Sequence, residues 1–239
     1  MRSRTLCLAL ALAPLAPGPA RAQTAPPAAT DLSAAQEALF DKGQDLIRQG
    51  RPADAIAQYL DRLIADFAAR YGNSAKRIYC AHGPAEEKLY RDDAARDQVD
   101  AVVLASTWAD ALFLKGYALI DLNRFPEAKL ALERALALSP RTPNFIVELG
   151  HCSEVMKDWP AALALYRRAE DAVRVRDGAT PNPASITRTW RGQGYCLTEM
   201  GRLEEATRLY KRCLELDPGD LKAQGELEYI QQLKTKASG

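Results

Sequence analysis

Cys80, Cys152, Cys196 and Cys213, together with the two histidines His82 and His151, are the residues of this chain best suited to metal or thiol chemistry. Cys80-x-His82 and His151-Cys152 would jointly offer two sulfurs and two nitrogens, the donor set of a tetrahedral zinc site. Their spacing follows no compact zinc motif, and uniting the halves requires the chain around Cys80 to fold over that around His151. A Cys/His nucleophile pair meets the same obstacle, with no third group in view to orient the base. No glycine-rich phosphate loop is present, and the acid pairs Glu86-Glu87, Asp92-Asp93 and Glu204-Glu205 fit solvated helix faces. The chain therefore reads as no enzyme, with no catalytic, cofactor-binding or metal residues. A thiol- or metal-dependent protein using Cys80, His82, His151 and Cys152 is the alternative.

The elements that would position these residues announce themselves by repetition. Leu112, Gly116, Leu119, Phe125, Ala128, Leu132, Ala135 and Pro140 form one copy of a pattern. Ile146, Leu149, Gly150, Trp159, Ala162, Tyr166 and Ala169 form a second, and Trp190, Gly194, Leu197, Leu203, Ala206, Tyr210, Cys213 and Pro218 a third. Gly116 and Gly150 are 34 residues apart, whereas Gly150 and Gly194 are 44 apart because Asp177 to Ile186 are inserted. This spacing resembles the tetratricopeptide repeat, a helix-turn-helix unit of about 34 residues. The resemblance implies an all-α, right-handed α-solenoid in which each hairpin completes its neighbour's core. A helix-interior glycine costs about 1 kcal/mol relative to alanine, so its recurrence at one phase calls for close helix packing. Gly116, Gly150 and Gly194 are expected opposite Ala128, Ala162 and Ala206.

Residues 109–142, 143–176 and 187–220 are the three clear units, with 177–186 as the insertion. Residues 36–69 make a worn unit with Leu39, Gly43, Leu46, Ala55 and Tyr59 in phase. The 70–108 stretch is irregular or a degenerate unit: Pro84 to Leu104 could be its second helix, and His82-Gly83-Pro84 breaks the first. Residues 221–236, with Leu227, Ile230 and Leu233 on one face, read as the capping helix of the solenoid's open end. No strand pattern competes with helix anywhere along the chain.

In tetratricopeptide-repeat proteins the first helix of each unit lines a concave face. The resemblance places there Phe113, Tyr117 and Ile120, then Val147, His151 and Glu154, then Arg191, Tyr195 and Thr198, with Phe40, Gln44 and Ile47 at the worn end. Such a groove suits a peptide or protein partner presenting apolar side chains and an acidic group. Packing of the solenoid's inner layer is an equal reading of the same aromatics. The lysines and asparagines with which chaperone-docking relatives grip a C-terminal carboxylate are not at these positions. A purely architectural homo-oligomer is a further possibility.

Met1 to Ala22 has the form of a secretory signal peptide: Arg2 and Arg4, an apolar run from Leu6 to Leu15, and Ala20-Arg21-Ala22 before the cleavage point. Residues 23–35 read as a flexible leader. Export across the inner membrane into a bacterial periplasm is the expected destination. Loss of residues 1–22 removes three arginines, leaving 29 basic against 31 acidic side chains, a net charge of −2 with no nucleic-acid footprint. No later stretch is apolar enough to span a membrane. In the resemblance, Cys152, Cys196 and Cys213 occupy phases usually held by alanine. Helix geometry sets Cys196 and Cys213 about 9 Å apart along the axis and Cys152 and Cys196 a helix spacing apart, so buried free thiols are expected.

Overall fold

The computed structural model describes residues 29–178 and 180–238; the signal-peptide reading and the start of the leader fall outside them. The first hairpin pairs α1 (Ala29–Arg48) with a helix running through α2 (Pro52–Ala55), a π-helical turn (Ile56–Leu60) and α3 (Asp61–Tyr71). After the insert of β1 (Arg77–Ala81), α4 (Pro84–Arg96) and β2 (Ala101–Ala105), three further hairpins follow. They are α5 (Thr107–Asp121) with α6 (Phe125–Leu138), α7 (Pro143–Val155) with α8 (Trp159–Asp177), and α9 (Pro183–Glu199) with α10 (Leu203–Leu216). The last helix, α11 (Leu221–Ser238), packs on α10 and α9. Each hairpin touches the next, and one apolar core runs from Leu46 to Ile230. The architecture is an α-solenoid of helix-turn-helix repeats.

The same turn closes every hairpin. Gly50, Asn123, Lys157 and Gly201 hold φ of 72°, 58°, 61° and 72°, each seven residues beyond its mid-helix glycine. The following amide reaches back to a carbonyl five residues earlier: Arg51 to Leu46, Arg124 to Leu119, Asp158 to Ser153 and Arg202 to Leu197, all at 2.8–2.9 Å. This is the left-handed helix stop that satisfies the last carbonyls. Glycine and asparagine accept that conformation readily; Lys157 adopts it at a cost.

The mid-helix glycines make room for the large residue one turn beyond the expected alanine. A Cβ on Gly116 would lie 2.6 Å from Leu132 Cγ, one on Gly194 2.7 Å from the Tyr210 ring, and one on Gly150 3.1 Å from the Tyr166 ring. The Cβ on Gly116 would also come within 3.4 Å of Ala128 O. In the first hairpin a Cβ on Gly43 would lie 2.8 Å from Leu60 and 3.8 Å from the in-phase Tyr59, so Leu60 fills the space. The π turn at Ile56–Leu60 explains the offset: one extra residue in the helix moves the register by one. A Cβ on Gly192, outside the repeat pattern, would lie 2.5 Å from the same Tyr166 ring from the next hairpin, so that ring is held between two glycines.

Three expectations are corrected. The leader expected at 23–35 overlaps α1, which is helical from Ala29. Residues 84–104 do not form one helix: α4 ends at Arg96, Gln98 turns with φ of 56°, and Ala101–Ala105 is a strand. Strands therefore exist where none was expected, as β1 and β2 pair in parallel with Tyr79 opposite Val103. The inserted 177–186 stretch is absorbed mainly by longer helices, since α8 continues to Asp177 and α9 begins at Pro183.

The insert is a small β-α-β unit. Tyr79 and Ala81 meet Tyr90 and Ala94 of α4 on one sheet face, with the Tyr79 and Tyr90 rings stacked at 4.9 Å. Ile78, Cys80 and Leu104 on the other face join the solenoid core. Alternation along each strand sends side chains to both layers, and each layer is covered.

Candidate functional site

The inner helices and the insert enclose a cleft of about 1120 Å³. Phe40 and Gln44 of α1, Phe113 and Leu114 of α5, and Phe145 of α7 line it, with the Ala172 to Arg176 end of α8 opposite. Phe113 and Phe145 stack at 4.6 Å, which couples two successive repeats across the floor. A smaller depression of about 290 Å³ shares Gln44, Phe113, Leu114 and Asn144 with it and continues to Ile47, Tyr117 and Arg188. The two form one groove along the inner face.

The insert closes one end through polar contacts. His82 bridges two elements: its Nε2 is 2.8 Å from Asp110 Oδ1 on α5, and its Nδ1 is 2.9 Å from Glu86 Oε2 on α4. The His82 amide donates to the same Glu86 oxygen at 2.7 Å, and the Tyr90 hydroxyl donates to Glu86 Oε1 at 2.7 Å. Hydrogen bonds to Asp110 and then Glu86 raise the His82 pKa to about 10, so the ring is a cation at neutral pH. Burial pushes the Glu86 carboxyl up, but the His82 ring and amide and the Tyr90 hydroxyl outweigh it and hold the group at about 2. Beside this clasp, Arg141 makes a two-pronged bond to Asp93 at 2.7–2.9 Å, and Ser139 Oγ donates to Cys80 O at 2.5 Å. The loop between α6 and α7 thus ties the insert down.

The expected groove residues divide. Phe113 and Tyr117 line the cleft with Phe40, Gln44 and Ile47, and Tyr117 is 39% exposed. Val147 is buried, Thr198 is buried and donates to Gly194 O, and Ile120 is half-buried against the core. His151 faces Glu154 at 3.6 Å, and Glu154 accepts the Tyr166 hydroxyl at 2.7 Å. Arg191 is bonded to Asp220, and Tyr195 sets its ring edge against Trp159 at 5.9 Å. These last residues lie beyond the two depressions, each engaged within the protein. Phe145, Leu114 and the insert residues were not signalled by repeat phase; Phe145 lies five residues before Gly150, outside the inner-face positions.

The donors of the alternative chemistry are separately engaged. Cys80, Cys152, Cys196 and Cys213 are free and fully buried. Burial raises the first three thiols to about 12 and Cys213 to about 11, leaving no thiolate at neutral pH. His82 is held by its two carboxylates and His151 by Glu154. Among the described residues, no three His, Cys, Asp or Glu side chains are grouped to hold a metal ion. Nor is any helix there long and apolar enough to cross a membrane.

Residues 113–177 and 187–220 each match a family model described as tetratricopeptide repeat. The chain is similar to the structure of MamA 41-end from Desulfovibrio magneticus RS-1, with 18% identity and a TM-score of 0.55 over 84% of this chain and 85% of that one. A MamA RS-1 ArsTM double mutant superposes with a TM-score of 0.56 at 16% identity, over 83% of this chain and 84% of that one. The first TPR of Spaghetti (RPAP3), bound to an HSP90 peptide, covers 54% of this chain and 95% of its own length, with 24% identity and a TM-score of 0.48. Among curated proteins no match was found.

Proposed function

The chain is a tetratricopeptide-repeat protein, and on that premise we propose that it is a non-catalytic scaffold whose inner groove binds a peptide or protein partner. The observation that carries this reading is the groove itself, preformed and walled by Phe40, Phe113, Leu114 and Phe145, with the half-exposed Tyr117 beside them. Rigid aromatic anchors in a preformed cleft lower the ordering cost of binding, and a few such anchors dominate affinity. The four thiols and two histidines offer the chemistry of a core and of clasps, which favours binding over catalysis.

We place this scaffold in the bacterial periplasm, in the assembly of an envelope complex. The support is the basic-apolar-small order of residues 1–22. Amino-terminal sequencing and fractionation test it: a mature chain beginning at Gln23 in the periplasmic fraction is expected, and an intact Met1 in the cytosol overturns it. For the groove, a photo-crosslinking residue at Tyr117 should capture one partner protein in cells. The same residue at Leu130, 62% exposed on α6, should not. Capture from Leu130 alone moves the binding site off the groove.

A further inference from the structure

The insert leaves one sheet edge open. Arg77 N donates to Asp100 O at 2.8 Å, so in this parallel ladder Asp100, Val102 and Leu104 turn their backbone groups toward β1. Ala101, Val103 and Ala105 then direct their N–H and C=O groups away from it. Among the described residues, none bonds to those outward groups. The opposite edge differs, because Cys80 O accepts the Ser139 hydroxyl and β1 lies against α5 and α6. Ala101–Ala105 contains no charged residue and no proline, the usual guards of an exposed edge.

We propose that β2 is the interface through which two copies of this chain pair, antiparallel about Val103, into a continuous four-stranded sheet. In that register Val103 faces its own copy and Ala101 faces Ala105, and these are the pairs that exchange both N–H···O bonds. Val102 faces Leu104, and no like charges are opposed. The two-fold axis stands normal to the sheet, which keeps both α4 helices on one face. Each α4 touches both strands of its own copy, so the two helices come to lie two strand spacings apart, about 10 Å. That is the separation of packed helices. Most solenoid contacts of each sheet fall on β1, the strand farther from the junction, and Leu104 is the β2 residue that joins the shared core. A second copy fits this edge better than an isolated peptide strand, because it brings its own α4 and solenoid to cover both faces of the strands it adds.

Light scattering on the purified full chain over a wide concentration range tests the pairing. A species of twice the chain mass is expected, together with slowed hydrogen exchange at the Ala101, Val103 and Ala105 amides as concentration rises. Val103→Pro removes an outward N–H while sparing the ladder to β1, and should yield a monomer of unchanged helicity. Should that variant unfold, Ala105→Pro at the exposed end of the strand makes the same test. A wild-type chain that is monomeric throughout overturns the proposal, as does a dimer that survives the folded proline variant.

Discussion

The hairpins that form the floor of the groove and the β1–α4–β2 insert that closes its end are fastened by different forces. The hairpins nest through shape: Leu60, Leu132, Tyr166 and Tyr210 each fill the space left by a glycine on the facing helix. The insert has a small core of its own, and besides Ile78, Cys80 and Leu104 in the shared apolar core it is tied to the solenoid by charge, through Asp110–His82–Glu86 and Arg141–Asp93. Shape complementarity is short-ranged and unforgiving of added volume, whereas ion pairs answer to pH and salt. A partner entering the groove would thus meet a rigid floor and an end wall held by bonds that conditions can loosen.

The contrast can be broken first at Gly192. Gly192→Ala sets a methyl 2.5 Å from the Tyr166 ring and should cost about 1–3 kcal/mol in denaturant unfolding. Gly225→Ala on α11, where nothing lies within 4 Å of the new methyl, should instead gain up to about 1 kcal/mol from helix propensity. Equal effects at the two sites would mean that the hairpins do not nest at Tyr166.

Arg141→Ala leaves Asp93, whose side chain is 12% exposed, without its two-pronged partner. The expected loss is about 1–2 kcal/mol. Hydrogen exchange should quicken across residues 77–105 and stay unchanged in α9 and α10. Acceleration spread evenly over the chain would show insert and solenoid to be one cooperative body.

The His82 clasp carries a pH signature. Its folded pKa lies above the ordinary 6.5, so its contribution is complete below about 6.5 and fades as pH rises toward 10. Glu86 lies below its ordinary 4.5, and its share is complete above 4.5 and fades as pH falls toward 2. The clasp is therefore tightest between those limits, near pH 4.5–6.5. His82 is 38% exposed, and solvent screening holds the effect to about 1 kcal/mol. His82→Gln should flatten the alkaline limb of the stability curve between pH 6.5 and 10; an unchanged slope would show that the ion pairs do not hold the insert.

The smallest effect has the opposite sign. Lys157→Gly relieves a left-handed lysine, φ of 61°, at a turn where two sister repeats already use glycine. A gain of about 0.5 kcal/mol in thermal unfolding is expected.

The repeats were legible because their contacts are local: Gly116, Gly150 and Gly194 each meet a residue sixteen positions on, within one hairpin. Of the groove, Phe113 and Tyr117 could be read, since they sit on the inner face of a regular helix. Phe145 and the clasp of His82 and Glu86 could not, as neither follows the repeat phase. Arg191 follows the inner-face phase, but Asp220, just before the capping helix, bonds to it in the folded chain. The π turn leaves no mark on the repeat phase, because Tyr59 and Leu60 are both large enough to fill the space beside Gly43.

Spacing along the chain alone determined that helical hairpins form, where they turn and that they must stack, because those outcomes rest on contacts within about 34 residues. Folding in three dimensions decided the rest. The 77–105 stretch became a β-α-β wall because β1 and β2, separated by a helix, had to pair in parallel, and because Asp110, Ser139 and Arg141 of the next repeat reached back to bind it. Such partners lie 28 to 59 residues apart with no period relating them, and only the folded chain brings them within hydrogen-bonding distance.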